Sequence, residues 1–157
     1  MKKLIYTAIL FFLALVTNGQ NTQLPAPEKL TLLQPADLVI TGMSVVNAVF
    51  NTNVKAWVIK VNITVKNTGQ IITAATDLKP WIKKSTSVWK PIGSPAILIG
   101  LKPGESLTKE YVFVDKLKVL APLDVFSFKV QVDASSKIKE GNETNNESLI
   151  LNISPSN

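Results

Sequence analysis

The stretch Trp57-Val58-Ile59-Lys60-Val61-Asn62-Ile63-Thr64-Val65-Lys66-Asn67 sets Trp57, Ile59, Val61, Ile63 and Val65 against Lys60, Asn62, Thr64 and Lys66. Successive side chains of a strand point to opposite faces, so this period of two predicts a half-buried antiparallel strand with one face on a core. Asn67-Thr68-Gly69 then closes the strand with a turn signal. Downstream, Phe126, Phe128, Val130 and Val132 alternate with Ser127, Lys129, Gln131 and Asp133 in the same way.

Shorter strands fill the interval between these two. Ile71 to Lys84 predicts a third strand, with Leu78, Pro80 and Ile82 on one face and Lys79, Trp81 and Lys83 on the other. Pro80 has no N–H to donate, which places this strand at a sheet edge or turns a bond-poor side toward the proline. Ser85 to Pro95 is a loop carrying Trp89, and Ile97 to Leu101 is a short strand. Lys102-Pro103-Gly104-Glu105 has proline and glycine at the central positions of a type II turn. Ser106 to Val114 follows as a strand with Leu107, Tyr111 and Phe113 inward, and Asp115 to Val125 crosses to the other sheet through one helical turn. Upstream, Asp37 to Thr41 and Met43 to Val46 form a first strand interrupted at Gly42, where a bulge or a change of sheet is expected. Ser148 to Ser154 ends the series with Leu149, Leu151 and Ile153 on one face. About seven short strands with turns between them, and no amphipathic helix, specify an all-β fold, an antiparallel two-sheet β-sandwich.

The N-terminus reads separately. Lys2 and Lys3 precede an apolar run from Leu4 to Val16 and then Thr17-Asn18-Gly19-Gln20, the pattern of a signal peptide over 1–19 cleaved between Gly19 and Gln20. The run is shorter than the roughly 20 residues a spanning helix needs, so no transmembrane segment is expected in the mature form. Residues 20–36, with Pro25, Pro27 and Pro35, read as a semi-extended tether, and 37–154 as the sandwich domain. The location implied is periplasmic, cell-surface or extracellular.

Composition narrows function by exclusion. There is no His and no Cys, so the commonest general base, thiol nucleophiles, disulfides and the usual transition-metal ligands are missing. The net charge is +6, but all of the positive charge is lysine, alternating singly along strands. Nucleic-acid readers rely on arginine forks, so a solvated sheet face is the reading and no nucleic-acid partner is expected.

The richest polar stretch is Val132-Asp-Ala-Ser-Ser-Lys-Ile-Lys-Glu-Gly-Asn-Glu-Thr-Asn-Asn146. Its Val132-Asp133 followed by Ile138, Glu140, Glu143, Asn145 and Asn146 resembles the closing motif of the CARDB family, the cell adhesion related domain found in bacteria. Asn67-Thr68-Gly69 and the Lys102 to Ser106 turn resemble two further steps of that family. The resemblance spans Asp37 to Ile153 and implies an immunoglobulin-like sandwich in a bacterial exported protein. No internal repeat is visible, unlike the tandem copies common in the family. In a bacterium the Asn-x-Ser/Thr triplets at Asn62, Asn142, Asn146 and Asn152 are incidental.

Two candidate sites emerge. Asp133, Glu140, Asn142, Glu143, Asn145 and Asn146 carry short acceptors of the kind that bond nearby backbone and hold a loop in shape. Hydrogen-bonded structure is the preferred reading and a calcium site is the alternative, opposed by Lys137 and Lys139 within the loop. Glu140 and Glu143 resemble a glycosidase pair only in composition, since nothing builds a pocket around them. Trp81 and Trp89, one on a lysine-bearing face and one in a loop, are candidate exposed aromatics for a sugar ring or a protein partner, against a plain role at the edge of the core. The function expected is a non-catalytic binding or adhesion module with no cofactor, acting on an envelope or extracellular protein. A carbohydrate-binding module using the two tryptophans is the alternative, and a structural spacer of an envelope assembly a third reading.

Overall fold

The computed structural model describes residues 32–85 and 87–154. The signal segment, its Gly19–Gln20 cleavage point and most of the tether lie outside those residues. Among the described residues eight strands follow in order: β1 (Leu38–Asn51), β2 (Ala56–Asn67), β3 (Thr76–Lys84), β4 (Lys90–Pro91), β5 (Ala96–Leu98), β6 (Ser106–Val114), β7 (Phe126–Val132) and β8 (Leu151–Ile153). One sheet is ordered β1-β2-β6, the other β4-β3-β7-β8 with β5 also on β3. Every strand pair is antiparallel. Among the described residues there is no helix, and so none long and apolar enough to cross a membrane.

The two alternating runs become the centres of the two sheets. Ile59, Val61, Ile63 and Val65 of β2 are all fully buried, as are Phe128, Val130 and Val132 of β7. Each such side chain contributes about 1.5–3 kcal/mol by leaving water. Aromatic pairs bridge the sheets: Trp57 meets Phe126 edge-on at 5.1 Å, and Phe113 meets Phe128 at 6.0 Å.

Asn67 ties the end of β2 to three neighbouring segments. Its Nδ2 donates to the carbonyls of Ile71 (2.8 Å) and Leu101 (3.1 Å), and its Oδ1 accepts from the N–H groups of Asp37 (3.2 Å) and Gly69 (3.0 Å). The side chain is fully buried with every donor and its acceptor engaged. The Lys102–Glu105 turn closes beside it, with Glu105 N–H donating to the Lys102 carbonyl at 3.0 Å and Gly104 at φ 74°.

Several expectations need correction. β1 runs on to Asn51, beyond the expected end at Val46, because a second register shift between Val45 and Asn47 breaks the alternation without ending the ladder. The first shift lies between Ile40 and Gly42, so the interruption expected at Gly42 is a bulge within one strand. β3 is interior to its sheet. Val130, opposite Pro80, directs its N–H and C=O to Ser148, so the Pro80 backbone faces the other way, where its carbonyl accepts from Ile92 N–H at 3.1 Å. The missing N–H thus falls on the side where β4 has ended and β5 has not paired.

Residues 115–125 form two turns in place of the expected helical turn. Carboxylates hold both, Asp115 Oδ2 accepting from Leu120 N–H (2.8 Å) and Asp124 Oδ2 from Ala121 N–H (2.6 Å). Leu149 is 80% exposed and leaves the face shared by Leu151 and Ile153. The pairing of Gln131 with Glu147 and of Phe128 with Leu151 differs by one residue, and that extra residue turns Leu149 outward. The chain also joins the fold before the expected Asp37: Gln34 exchanges hydrogen bonds with Gln70, and Ala36 is buried and bridged to Glu140.

Candidate functional site

The loop after β7 is folded inward on its acceptors. Asp133, buried at φ 48°, accepts from Lys137 N–H and Thr76 Oγ1–H at Oδ1 and from Ile138 N–H at Oδ2, the two backbone bonds each 3.0 Å. Its own N–H donates to the Asp77 carbonyl at 2.8 Å, tying the loop to the start of β3. Glu140 reaches the opposite neighbour. Its Oε1 accepts from Leu38 N–H at 2.6 Å and its Oε2 from the Asn146 side-chain amide. Glu143 Oε1 accepts from Glu140 N–H (2.9 Å), Asn145 Nδ2 donates to Asp37 Oδ1 (3.0 Å), and Asn142 Oδ1 accepts from Thr144 N–H (3.0 Å). The loop is therefore a clasp that joins the start of β1, the start of β3 and the end of β7.

Burial pushes the Glu140 carboxyl above its ordinary value, the hydrogen bonds from Asn146 and Leu38 oppose that, and the Asp133 and Glu143 charges add to it.

The same geometry speaks against calcium. A calcium ion takes six to eight oxygens directed at one point, whereas both oxygens of Asp133 and of Glu140 already accept from donors in different directions. Among the described residues no three acidic side chains converge as metal ligands. Glu140 and Glu143 also fail as an acid–base pair, since their hydrogen bonds tie one to the other's backbone and to the start of β1.

The tryptophans stand elsewhere, on the outer face of the five-stranded sheet. Trp81 lies opposite Lys129 of β7, and the Lys79 ammonium sits 4.7 Å from its ring centroid. Trp89 folds back over the same face, with the ammonium groups of Lys129 and Lys83 at 4.8 and 5.9 Å from its ring. Both indoles are half-buried under lysines, less open than their sequence positions suggest. Lys129 also pairs with Glu147 at 2.6 Å. The Trp81 Nε1–H is buried without a partner among the described residues, while that of the core residue Trp57 donates to the Ala121 carbonyl at 2.8 Å.

Sequence reading missed the partners of both sites. Asp37, Thr76 and Asp77 complete the clasp from far along the chain, and Lys79, Lys83 and Lys129 cover the indoles from two strands. The lysine alternation marked an outer face, but the return of Trp89 over it leaves no local signal.

The sequence model of the CARDB family matches residues 35–149. No curated protein sequence matches the chain significantly. Among solved structures, a CARDB domain from Pyrococcus furiosus, crystallised in complex with di-metal ions, is 18% identical with a TM-score of 0.50, covering 80% of this chain and 97% of that one. A domain of a protein named for the cell surface, from Methanosarcina acetivorans, is 21% identical with a TM-score of 0.52, covering 78% of this chain and 93% of its own. The β-glucosidase 3B of Thermotoga neapolitana matches 78% of this chain over only 16% of its own, at 16% identity and a TM-score of 0.50. At these identities the structural likenesses show the fold alone. The family match covers the strands from β1 through β7, the Asn67 turn and the whole clasp, and the chain belongs to the CARDB family.

Proposed function

We propose that this chain is a non-catalytic binding and adhesion module, exported by its N-terminal segment and acting through protein contacts at the cell envelope. The observation that carries the reading is the inward commitment of the clasp. Asp133 and Glu140 spend their oxygens on the chain itself, so the polar loop frames the domain and is not a reactive centre. Membership of an adhesion-related family and the cell-surface name of a structural relative support the setting. Protein contacts suit the open strand edges, above all β6, which pairs with β2 over nine residues without a register shift and has no strand on its other side among the described residues, leaving that edge to strand addition.

A second reading, carbohydrate binding, is favoured by Trp81 and Trp89 meeting on one outer face. Immobilised chain offered envelope proteins and a panel of polysaccharides tests both. Saturable capture of a defined protein, unaffected by Trp81→Ala, supports the edge contact. Capture of a glycan lost in Trp81→Ala or Trp89→Ala supports the second reading in its place, and capture of neither refutes the binding function.

A further inference from the structure

Resting on the reading of the tryptophan face as a binding surface, we propose that the outer face of the five-stranded sheet docks an acidic polysaccharide laid along β3. The charge there is positive and partly unmatched. Lys79 and Lys83 make no ion pair among the described residues, and Lys129 faces a single acid, Glu147. The opposite outer face differs: its Lys60 is paired with Glu110 at 3.3 Å, its Lys66 stands apart from any tryptophan, and none of the chain's three tryptophans lies on it.

The indole rings hold ammonium groups over their faces at 4.7 and 4.8 Å. A carboxylate on the ligand draws those lysines to itself and uncovers flat aromatic surface for the C–H face of a sugar ring. The Trp81 Nε1–H on the same indole has no hydrogen-bond partner among the described residues. A ligand oxygen satisfies that donor, whose isolation is otherwise a cost.

Shape selects an extended polymer. Asp77 to Lys83 spans about 20 Å of strand, and at the Asp77 end the face runs into an open cleft of about 640 Å³ bordered by Lys79, Ile97, Ser135, Lys137 and Asp77 itself, whose carboxylate accepts from Ser135 Oγ–H and lies 4.0 Å from the Lys137 ammonium. Protein anchors need deep desolvated pockets, and this surface is a strand ladder whose indoles lie under lysines.

The test titrates the protein with polygalacturonate and with its methyl-esterified form, which keeps the backbone and masks the charge. Tryptophan emission and retardation in affinity gels are read at low salt and at about 0.15 M salt. The expected result is saturable binding to polygalacturonate, weakened about tenfold or more by esterification and again by salt. Lys79→Gln with Lys83→Gln, and separately Trp81→Ala, each lower the affinity by about tenfold with unchanged melting curves. Should Trp81→Ala unfold, Trp81→Phe keeps an aromatic face while removing the N–H and part of the ring, and is expected to weaken binding less than the lysine pair does. Equal binding of the two polymers, binding of neither, or full binding by the lysine variant overturns the proposal, as does an acidic protein held on this face in place of the polymer. Each of these failures leaves the envelope-protein capture to decide the binding function on its own.

Discussion

Replacing Glu140 by alanine strands the Leu38 N–H and the Asn146 side-chain amide in a buried setting, because one carboxylate serves both. An unmet buried donor costs about 1–3 kcal/mol, so Glu140→Ala is expected to lose about 2–4 kcal/mol and to melt well below the wild type. The loss is expected to be the same in EDTA and in calcium, and a difference between the two would assign the residue to a metal. Glu140 also leaves a mark on pH dependence. Its folded value lies above the ordinary carboxylate value, so the folded chain holds that proton more tightly than the unfolded chain does. Its contribution is therefore full below the ordinary value and is lost as the pH rises through the raised one. Melting curves across mildly acidic pH are expected to show this falling limb in the wild type and not in Glu140→Gln. The loop's acceptors were legible as turn builders from composition alone. Their partners Leu38 and Thr76 were not, because contacts across more than fifty residues carry no local pattern.

At the level of elements, two glycines distinguish backbone conformation from close approach. Gly104 sits at φ 74° with open space where a Cβ would stand, so Gly104→Ala costs only the left-handed strain, about 1 kcal/mol. At Gly69 a Cβ would stand 2.0 Å from the Pro35 carbonyl oxygen and 2.7 Å from the Ala36 Cα, atoms of the incoming chain. Urea unfolding is expected to show Gly69→Ala losing at least twice as much as Gly104→Ala, since Pro35 and Ala36 must shift and Ala36 is core. The long alternations predicted β2, β6 and β7 closely, because a period of two is unmistakable over seven or more residues. The end of β1 and the outward turn of Leu149 escaped for one shared reason: a one-residue bulge reverses the phase of the pattern without changing its composition.

Across the whole molecule, non-covalent packing and hydrogen bonds hold the sandwich, for the chain has no cysteine to cross-link it. Phe128 touches the opposite sheet through Phe113, so Phe128→Ala is expected to cost about 3–5 kcal/mol in denaturant unfolding. The clasp closes one end of this frame by joining Leu38 and Asp77, near the starts of two strands in different sheets, to the chain after β7. The carboxylate oxygens of Asp133 and Glu140 are engaged in that task, and the proposed recognition falls to the strand edges and the lysine–tryptophan face. Sandwich architecture was readable from strand spacing, and the proposed binding face only in part, since lysine alternation reports exposure without naming a partner. The most direct measurement is retention of envelope proteins and polysaccharides on the immobilised chain, run in EDTA and again in calcium. The same ligand retained under both conditions and released chemically unchanged is the expected result. Retention only in calcium, or release of a cleaved ligand, would contradict a metal-independent, non-catalytic binding module.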